Sequence, residues 1–221
     1  AGKSVTIIDK EKFPRDKACG DGLTPRAIKE LASLGLSDWL ATKPRIIGLR
    51  AAGFGQELLL PWKSPSLPEW GSSVPRTELD NRILDVARTS GATVHDGVAA
   101  VDVELDNGAI SSLVARRDEE TIRYSAKHVI IADGVRSQLG RKLNRDGELR
   151  SPWSAMLPMG GAVSGVGGKN YMFIGDAAGC VNPLNGEGID YGLETGRLAV
   201  SMLDAENDFT EAWANALQEQ Y

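Results

Sequence analysis

An α/β fold built on parallel strands is what this sequence predicts, and three observations predict it. Short apolar or β-branched runs end at acids: Ser4-Val5-Thr6-Ile7-Ile8 at Asp9, Val129-Ile130-Ile131-Ala132 at Asp133-Gly134, and Tyr171-Met172-Phe173-Ile174 at Gly175-Asp176. Segments of helical spacing alternate with such runs, the pattern of strand and crossover helix. A Pro-x-x-Gly-x-Gly turn, Pro183 to Gly188, then joins the last strand end to a helical pattern. In open α/β sheets, ligands sit beyond the carboxyl ends of the strands.

Each element has its own justification. Thr24 followed by Pro25 reads as an N-cap and first helical residue. Ile28, Leu31, Leu34 and Leu36 supply the apolar side of that helix, and Gly35 ends it. Residues 45–75 change character: short apolar pieces are broken by Gly and Pro, and Trp62 and Trp70 enter, which predicts β-structure and loop in a separate layer. Helical spacing returns over 77–90 with Leu79, Ile83, Leu84 and Ala87 on one side and Thr77 as its cap. Residues 92–127 read as a β-meander that turns at Asn107-Gly108. From 189, Ile189, Leu193, Gly196, Val200 and Leu203 follow helical spacing, with Gly188, Gly192 and Gly196 as a bare stripe for close packing. The tail beyond 205 predicts one more helix.

Bulk properties narrow the function class. The chain has 221 residues, 42% hydrophobic and 25% charged, which suits an ordinary globular fold. Its net charge of −5 argues against nucleic acid as a partner. Cys19 and Cys180 give no disulfide framework and point to a reducing compartment. No segment reads as a signal peptide, and no apolar run approaches the ~20 residues that span a bilayer. Contact with a membrane surface stays compatible with these numbers.

The run from Ile174 to Ile189 carries the chemistry. It presents one carboxylate at a strand end and aims a helix N-terminus, which favours negative charge, at the same place. A flavin fits both demands: its ribityl hydroxyls suit an aspartate, and its N1/C2=O edge becomes anionic on reduction. Three strand-end acids, Asp9, Asp133 and Asp176, suggest a long cofactor with several hydroxyl groups, hence FAD. Each acid taken singly also reads as an ordinary turn or capping residue.

The motif Phe13-Pro14-Arg15-Asp16-Lys17-x-Cys19-Gly20-Asp21-Gly22-Leu23 resembles the geranylgeranyl reductase family of flavoproteins. Asp133-Gly134-x-Arg136-Ser137 and Gly175-Asp176 with Pro183-x-x-Gly186-x-Gly188 share that resemblance. The family belongs to the larger group built like p-hydroxybenzoate hydroxylase. Leu157-Pro158-Met159-Gly160-Gly161 and the stretch 182–196 resemble, more narrowly, the actinobacterial menaquinone reductases. The resemblance covers most of the chain, from about Val5 to Leu203.

It implies a Rossmann-like FAD-binding domain over 1–44, 76–145 and 159–221, with 45–75 and 146–158 as parts of a β-rich substrate domain. It also implies residue roles. Asp9 would hold the adenosine ribose, and Arg76, opening Arg-x-x-Leu-Asp, would lie against the ribityl-phosphate region. Asp133 and Gly134 would sit near the pyrophosphate, with Arg136 and Ser137 shaping the same surface. Asp176, after Gly175, would bond a ribityl hydroxyl, and the backbone of Gly186, Glu187 and Gly188 would face the flavin N1/C2=O edge. Cys19, Gly20, Asp21 and Gly22 would lie near the isoalloxazine. Arg76, Arg136 and Ser137 also read as solvated surface residues, and Cys19 reads first as a small buried residue.

The implied reaction saturates a carbon–carbon double bond of an isoprenoid chain, of menaquinone or a geranylgeranyl group, by hydride and a proton. Cys19 and Asp21 are candidates for the proton donor. The electron donor would be NAD(P)H or ferredoxin-like. A lipid or quinone substrate implies work in the cytoplasm, peripherally at the inner face of the cell membrane. His95 and His128 read as structural or solvated. Two other readings stay open: an aromatic-ring monooxygenase of the same fold group, and a non-catalytic prenyl-lipid-binding remnant.

The departures from the family are as specific as the match. A Gly-x-Gly-x-x-Gly turn belongs roughly 20 residues before Asp9, yet eight residues precede it and none forms that motif. The first strand and its glycine turn are therefore expected to be missing. Near 146–153 the chain crosses in a few residues what the family fills with a long substrate-domain sheet. The chain is expected to consist of segments of a longer protein, or else to be a truncated remnant.

Overall fold

A computed structural model describes residues 2–143, 164–182 and 186–221. The stretch 146–158, the motif 157–161 and Pro183 lie outside the described residues. Two compact units divide the chain: Ala1–Ile7 with Glu11–Asp96, and Ile8–Lys10 with Gly97–Tyr221.

The first unit holds, in chain order, β1 (Thr6–Asp9, ending in the second unit), β2 (Gly22–Leu23), α1 (Pro25–Ser33), α2 (Ser37–Ala41), β3 (Gly48–Gly53), β4 (Gln56–Pro61), β5 (Ser72–Ser73), α3 (Arg76–Thr89) and β6 (Thr93–Asp96). β1 pairs with β6, and the Thr93 N–H donates to the Val5 carbonyl at 2.9 Å. β2 and β5 pair antiparallel, Leu23 opposite Ser72. β3 and β4 form a hairpin whose turn, Phe54-Gly55, has positive φ at both residues, as a type I′ hairpin turn requires. Nearly every side chain of that hairpin is exposed.

α1 begins as the sequence predicts. Thr24 Oγ1 accepts the Ala27 N–H at 3.3 Å, and Pro25 opens the helix. Its end differs in one respect: the helix stops at Ser33, and Leu34 is an exposed cap residue, not part of the apolar side. Gly35, at φ +80, turns the chain so that Leu36 returns to the interior. α3 corrects a second expectation. It starts at Arg76 with Pro75 as N-cap, so Thr77 lies inside the first turn. The Pro75 carbonyl accepts the N–H groups of Glu78 and Leu79, both at 2.9 Å, and no side-chain cap is made.

The second unit holds β7 (Ala99–Asp106), β8 (Ala109–Arg117), β9 (Glu120–Tyr124), β10 (Val129–Ile131), α4 (Gln138–Lys142), β11 (Gly167–Gly168), β12 (Tyr171–Phe173), α5 (Ile189–Met202) and α6 (Ala212–Gln220). β7, β8 and β9 form the expected antiparallel meander, with Asn107 and Gly108 both at positive φ in its first turn. β10 and β12 run parallel, Ile131 beside Phe173, and β11 pairs antiparallel with β12. Among the described residues the β1–β6 pair and the parallel pair β10–β12 belong to separate sheets.

β12 lies in the core of this unit. Tyr171, Met172 and Phe173 are buried with Ile131, Phe209, Trp213 and Leu217 in one apolar cluster. The Trp213 indole N–H donates to the Phe173 carbonyl at 2.8 Å, which ties α6 to the strand that leads to Asp176. Asn170 staples the β11–β12 turn to the meander: its Oδ1 accepts the Ile110 N–H at 2.8 Å and its Nδ2 donates to the Ile110 carbonyl at 2.9 Å. Among the described residues no helix is long and apolar enough to cross a membrane.

Candidate flavin-binding site

The end of β12 is built by glycine. Gly175 has φ +55 and opens a 3-10 turn, Gly175–Ala178, that Gly179 closes at φ +75. Its N–H donates to Oγ1 of the fully buried Thr195 at 2.9 Å, and that hydroxyl donates to the Tyr191 carbonyl at 2.7 Å. A Cβ on Gly175 would lie 3.3 Å from the Gly192 Cα, so α5 packs on the strand end almost backbone to backbone. The bare stripe read from the sequence thus meets the strand end at Gly192.

Asp176 follows, half-buried. A Cβ on Gly188, the N-cap of α5, would lie 2.8 Å from its Oδ1, so glycine is what lets the carboxylate rest against the helix start. Gly175, Asp176 and Gly188 are therefore brought together. The Gly186 N–H donates to the Asn182 carbonyl at 3.0 Å, and the Asn182 N–H to the Glu187 carbonyl at 2.9 Å.

Glu187 adds something the sequence does not show. Its Oε1 accepts the Ile189 N–H at 3.2 Å, so its own carboxylate sits on the amides at the start of α5. Burial, and then the nearby Asp190, push the Glu187 carboxyl above the usual range. The helix start expected to face an anionic ring edge carries this side chain.

β10 and β12 being parallel, Asp133 and Asp176 follow the same ends of neighbouring strands. The exposed Asp133 has Oδ2 3.4 Å from the Leu139 N–H at the start of α4. Gly134, at φ +79, accepts the Ser137 N–H through its carbonyl at 3.1 Å. Ser137 is not a solvated residue: it is buried and caps α4, its Oγ accepting the Gly140 N–H at 2.7 Å. Arg136 is exposed. Asp9 ends β1 half-buried, and its carbonyl accepts the Val98 N–H at 2.9 Å.

The remaining predicted residues belong to the first unit. The β2–β5 pair and the Val74 N–H, which donates to the Asp21 carbonyl at 3.0 Å, fix the segment Cys19-Gly20-Asp21-Gly22 beside the start of α3. Asp21 has φ +56, an uncommon backbone state for a residue with a side chain. Arg76, the first residue of α3, meets the Cys19 side chain, so two residues from separate motifs come together. Its guanidinium forks onto Asp80, Nε to Oδ1 and Nη2 to Oδ2, both at 2.8 Å. Burial opposes the Arg76 charge, but Asp80 and then Cys19 outweigh it and raise its pKa. Arg15 Nη1 lies 2.6 Å from Asp80 Oδ2. Thr195, which holds the Gly175 amide, left no signal in the sequence, whereas Asp80 stands there as the last residue of Arg-x-x-Leu-Asp, at i,i+4 spacing from Arg76.

Cys19 is exposed, which corrects the reading of it as a small buried residue. Cys180 is buried, and burial followed by Asp176 pushes its thiol up to about 11. A maleimide reagent is therefore expected to label Cys19 in the folded protein and Cys180 only after denaturation, read by peptide mass spectrometry. Equal labelling of both in the native state would contradict this placement. Among the described residues, no group of three or more His, Cys, Asp or Glu is placed to hold a metal ion.

These features fit FAD. In the second unit a carboxylate lies at a strand end against a glycine backbone; in the first, taken by itself, a cation stands in a half-buried cluster. The FAD binding domain family matches residues 1–160. The menaquinone reductase of Mycolicibacterium smegmatis is 40% identical over an alignment that takes in 100% of this chain and 76% of the relative. That alignment runs over 312 positions, more than the 221 residues here, so the relative carries internal stretches without a counterpart. Among solved structures, the flavin-dependent halogenase CmlS superposes with a TM-score of 0.79 at 20% identity, over 99% of this chain and 58% of the halogenase. A geranylgeranyl bacteriochlorophyll reductase-like protein from Thermoplasma acidophilum gives 0.68 at 18%, over 98% and 75%. At such identities the two structures speak for the fold alone. The family match and the 40% identity go further: the chain belongs to the FAD binding domain family of flavoenzymes, in the group that holds the menaquinone reductases, and FAD is its cofactor.

Proposed function

We propose that this chain is an FAD-dependent reductase that saturates a carbon–carbon double bond in an isoprenoid chain, the menaquinone side chain or a geranylgeranyl group. The observation that carries the reading is the 40% identity to a menaquinone reductase along the whole of the chain.

The residues then take the following parts. Asp176 accepts a hydrogen bond from a ribityl hydroxyl, and Asp9 from the adenosine ribose. Arg76 meets the phosphate next to the ribityl chain, while Gly134 and Asp133 line the pyrophosphate path. Gly186, Glu187 and Gly188 border the ring edge that turns anionic on reduction. Glu187 fits that task when it is protonated or swings off the α5 amides, and burial already favours its neutral form. When bound, FAD supplies the hydride that an unactivated alkene needs. The protein's share is positioning and the exclusion of water. Cys19 and Asp21 are the side chains proposed to deliver the proton. The substrate is proposed to be reached at the inner face of the membrane, and the electron donor to be NAD(P)H or ferredoxin-like.

Oxygen dependence tests the reaction class. With FAD, dithionite and a prenylated quinone, turnover is expected to proceed under strict anaerobiosis. Turnover that starts only when oxygen is admitted would replace the reductase with a monooxygenase.

A further inference from the structure

Arg15, Asp80 and Arg76 form a cluster whose parts have different jobs. Their side chains are 18%, 12% and 13% exposed, so the group is shielded from solvent. Asp80 takes the Arg76 Nε–H and one Nη2–H in a fork, which leaves the Nη1 edge to point elsewhere. A forked Arg–Asp pair alone is neutral and offers a phosphate little. Arg15 changes that balance. Its Nη1 is buried and makes no hydrogen bond of good geometry, although it lies 2.6 Å from Asp80 Oδ2. Two guanidinium groups share one carboxylate, and one positive charge remains.

We infer that Asp80 is a positioning residue for FAD binding and that Arg15 supplies the charge that makes the cluster attract phosphate. The inference rests on the reading that Arg76 faces a phosphate of FAD. Asp80 fixes the plane of the Arg76 guanidinium, and Arg15 offsets the negative charge this costs.

Removing a carboxylate beside a phosphate site raises affinity if charge alone matters. If Asp80 positions Arg76, the same change lowers it. The experiment titrates wild type, Asp80→Asn, Arg15→Gln and Arg76→Ala with FAD, reading flavin fluorescence at several salt concentrations, with the thermal midpoint of each apoprotein alongside. Asp80→Asn is expected to weaken FAD binding on the order of tenfold, the scale of a lost charge-assisted contact. Arg15→Gln is expected to weaken it several-fold and to flatten its salt dependence.

Tighter or unchanged binding by Asp80→Asn overturns the positioning role, and an unchanged salt slope in Arg15→Gln overturns the charge role. If Asp80→Asn does not fold, Asp80→Glu, which keeps the charge but moves the carboxylate, takes its place, and wild-type FAD affinity in that variant overturns the positioning role. Wild-type affinity in Arg76→Ala overturns the underlying placement of Arg76 instead, which keeps the two failures apart.

Discussion

Asp176→Ala is expected to weaken FAD binding by about 10- to 100-fold, while Asp102→Asn leaves it unchanged. A hydrogen bond to a charged group is worth ~1.5–3 kcal/mol, which sets that range. Asp176 is half-buried at the end of β12 against Gly188, in a place only a glycine backbone leaves open. Asp102 sits in the meander, in an exposed ion pair with Lys142 at 3.2 Å, and is a matched loss of one negative charge. Flavin retained through gel filtration, together with equilibrium titration, reads the difference. Equal affinity in both variants would remove the ribityl contact from Asp176. A preserved thermal midpoint of the apoprotein distinguishes lost binding from lost folding.

Trp213→Ala is expected to destabilise the second unit by about 3–5 kcal/mol, the range for truncating a buried aromatic. Trp213 is fully buried between α6 and the β11–β12 strands, and a Cβ added to Gly167 would come within 3.1 Å of its own Cβ. Its indole N–H also holds the Phe173 carbonyl, one residue before Ile174 leads into Gly175 and Asp176. Trp213→Phe keeps a ring and loses the donor, so it is expected to cost less, ~1–3 kcal/mol. Urea denaturation followed by circular dichroism measures both. A Trp213→Ala midpoint equal to wild type would show that α6 does not brace the strand.

These two residues differ in how far the sequence announces them. Asp176 stands in a run whose meaning is local: apolar strand, Gly-Asp, glycine turn, helix. The same local logic finds Thr24 and Pro25 at the start of α1, Gly35 beyond its end and the Asn107-Gly108 turn, because caps and positive-φ turns depend on neighbours in sequence. The strand ends at Asp133 and Asp176 are legible in the same way, though that β10 and β12 pair with each other is seen only in the structure. Residues defined by tertiary contact stay hidden. Nothing local says that Cys19 meets Arg76, that Thr195 receives the Gly175 amide, or that Glu187 folds back onto α5. Thr77 misled for the opposite reason: a good capping residue lay two places beyond a proline that starts the helix itself.

The mass of the product formed by the reduced, FAD-loaded protein from a menaquinone, fragmented to separate ring from chain, tests the central claim most directly. A gain of two hydrogens located in the isoprenoid chain is expected. A product that gains oxygen, or one whose chain fragment keeps its original mass while the reduced flavin is oxidised, would contradict it.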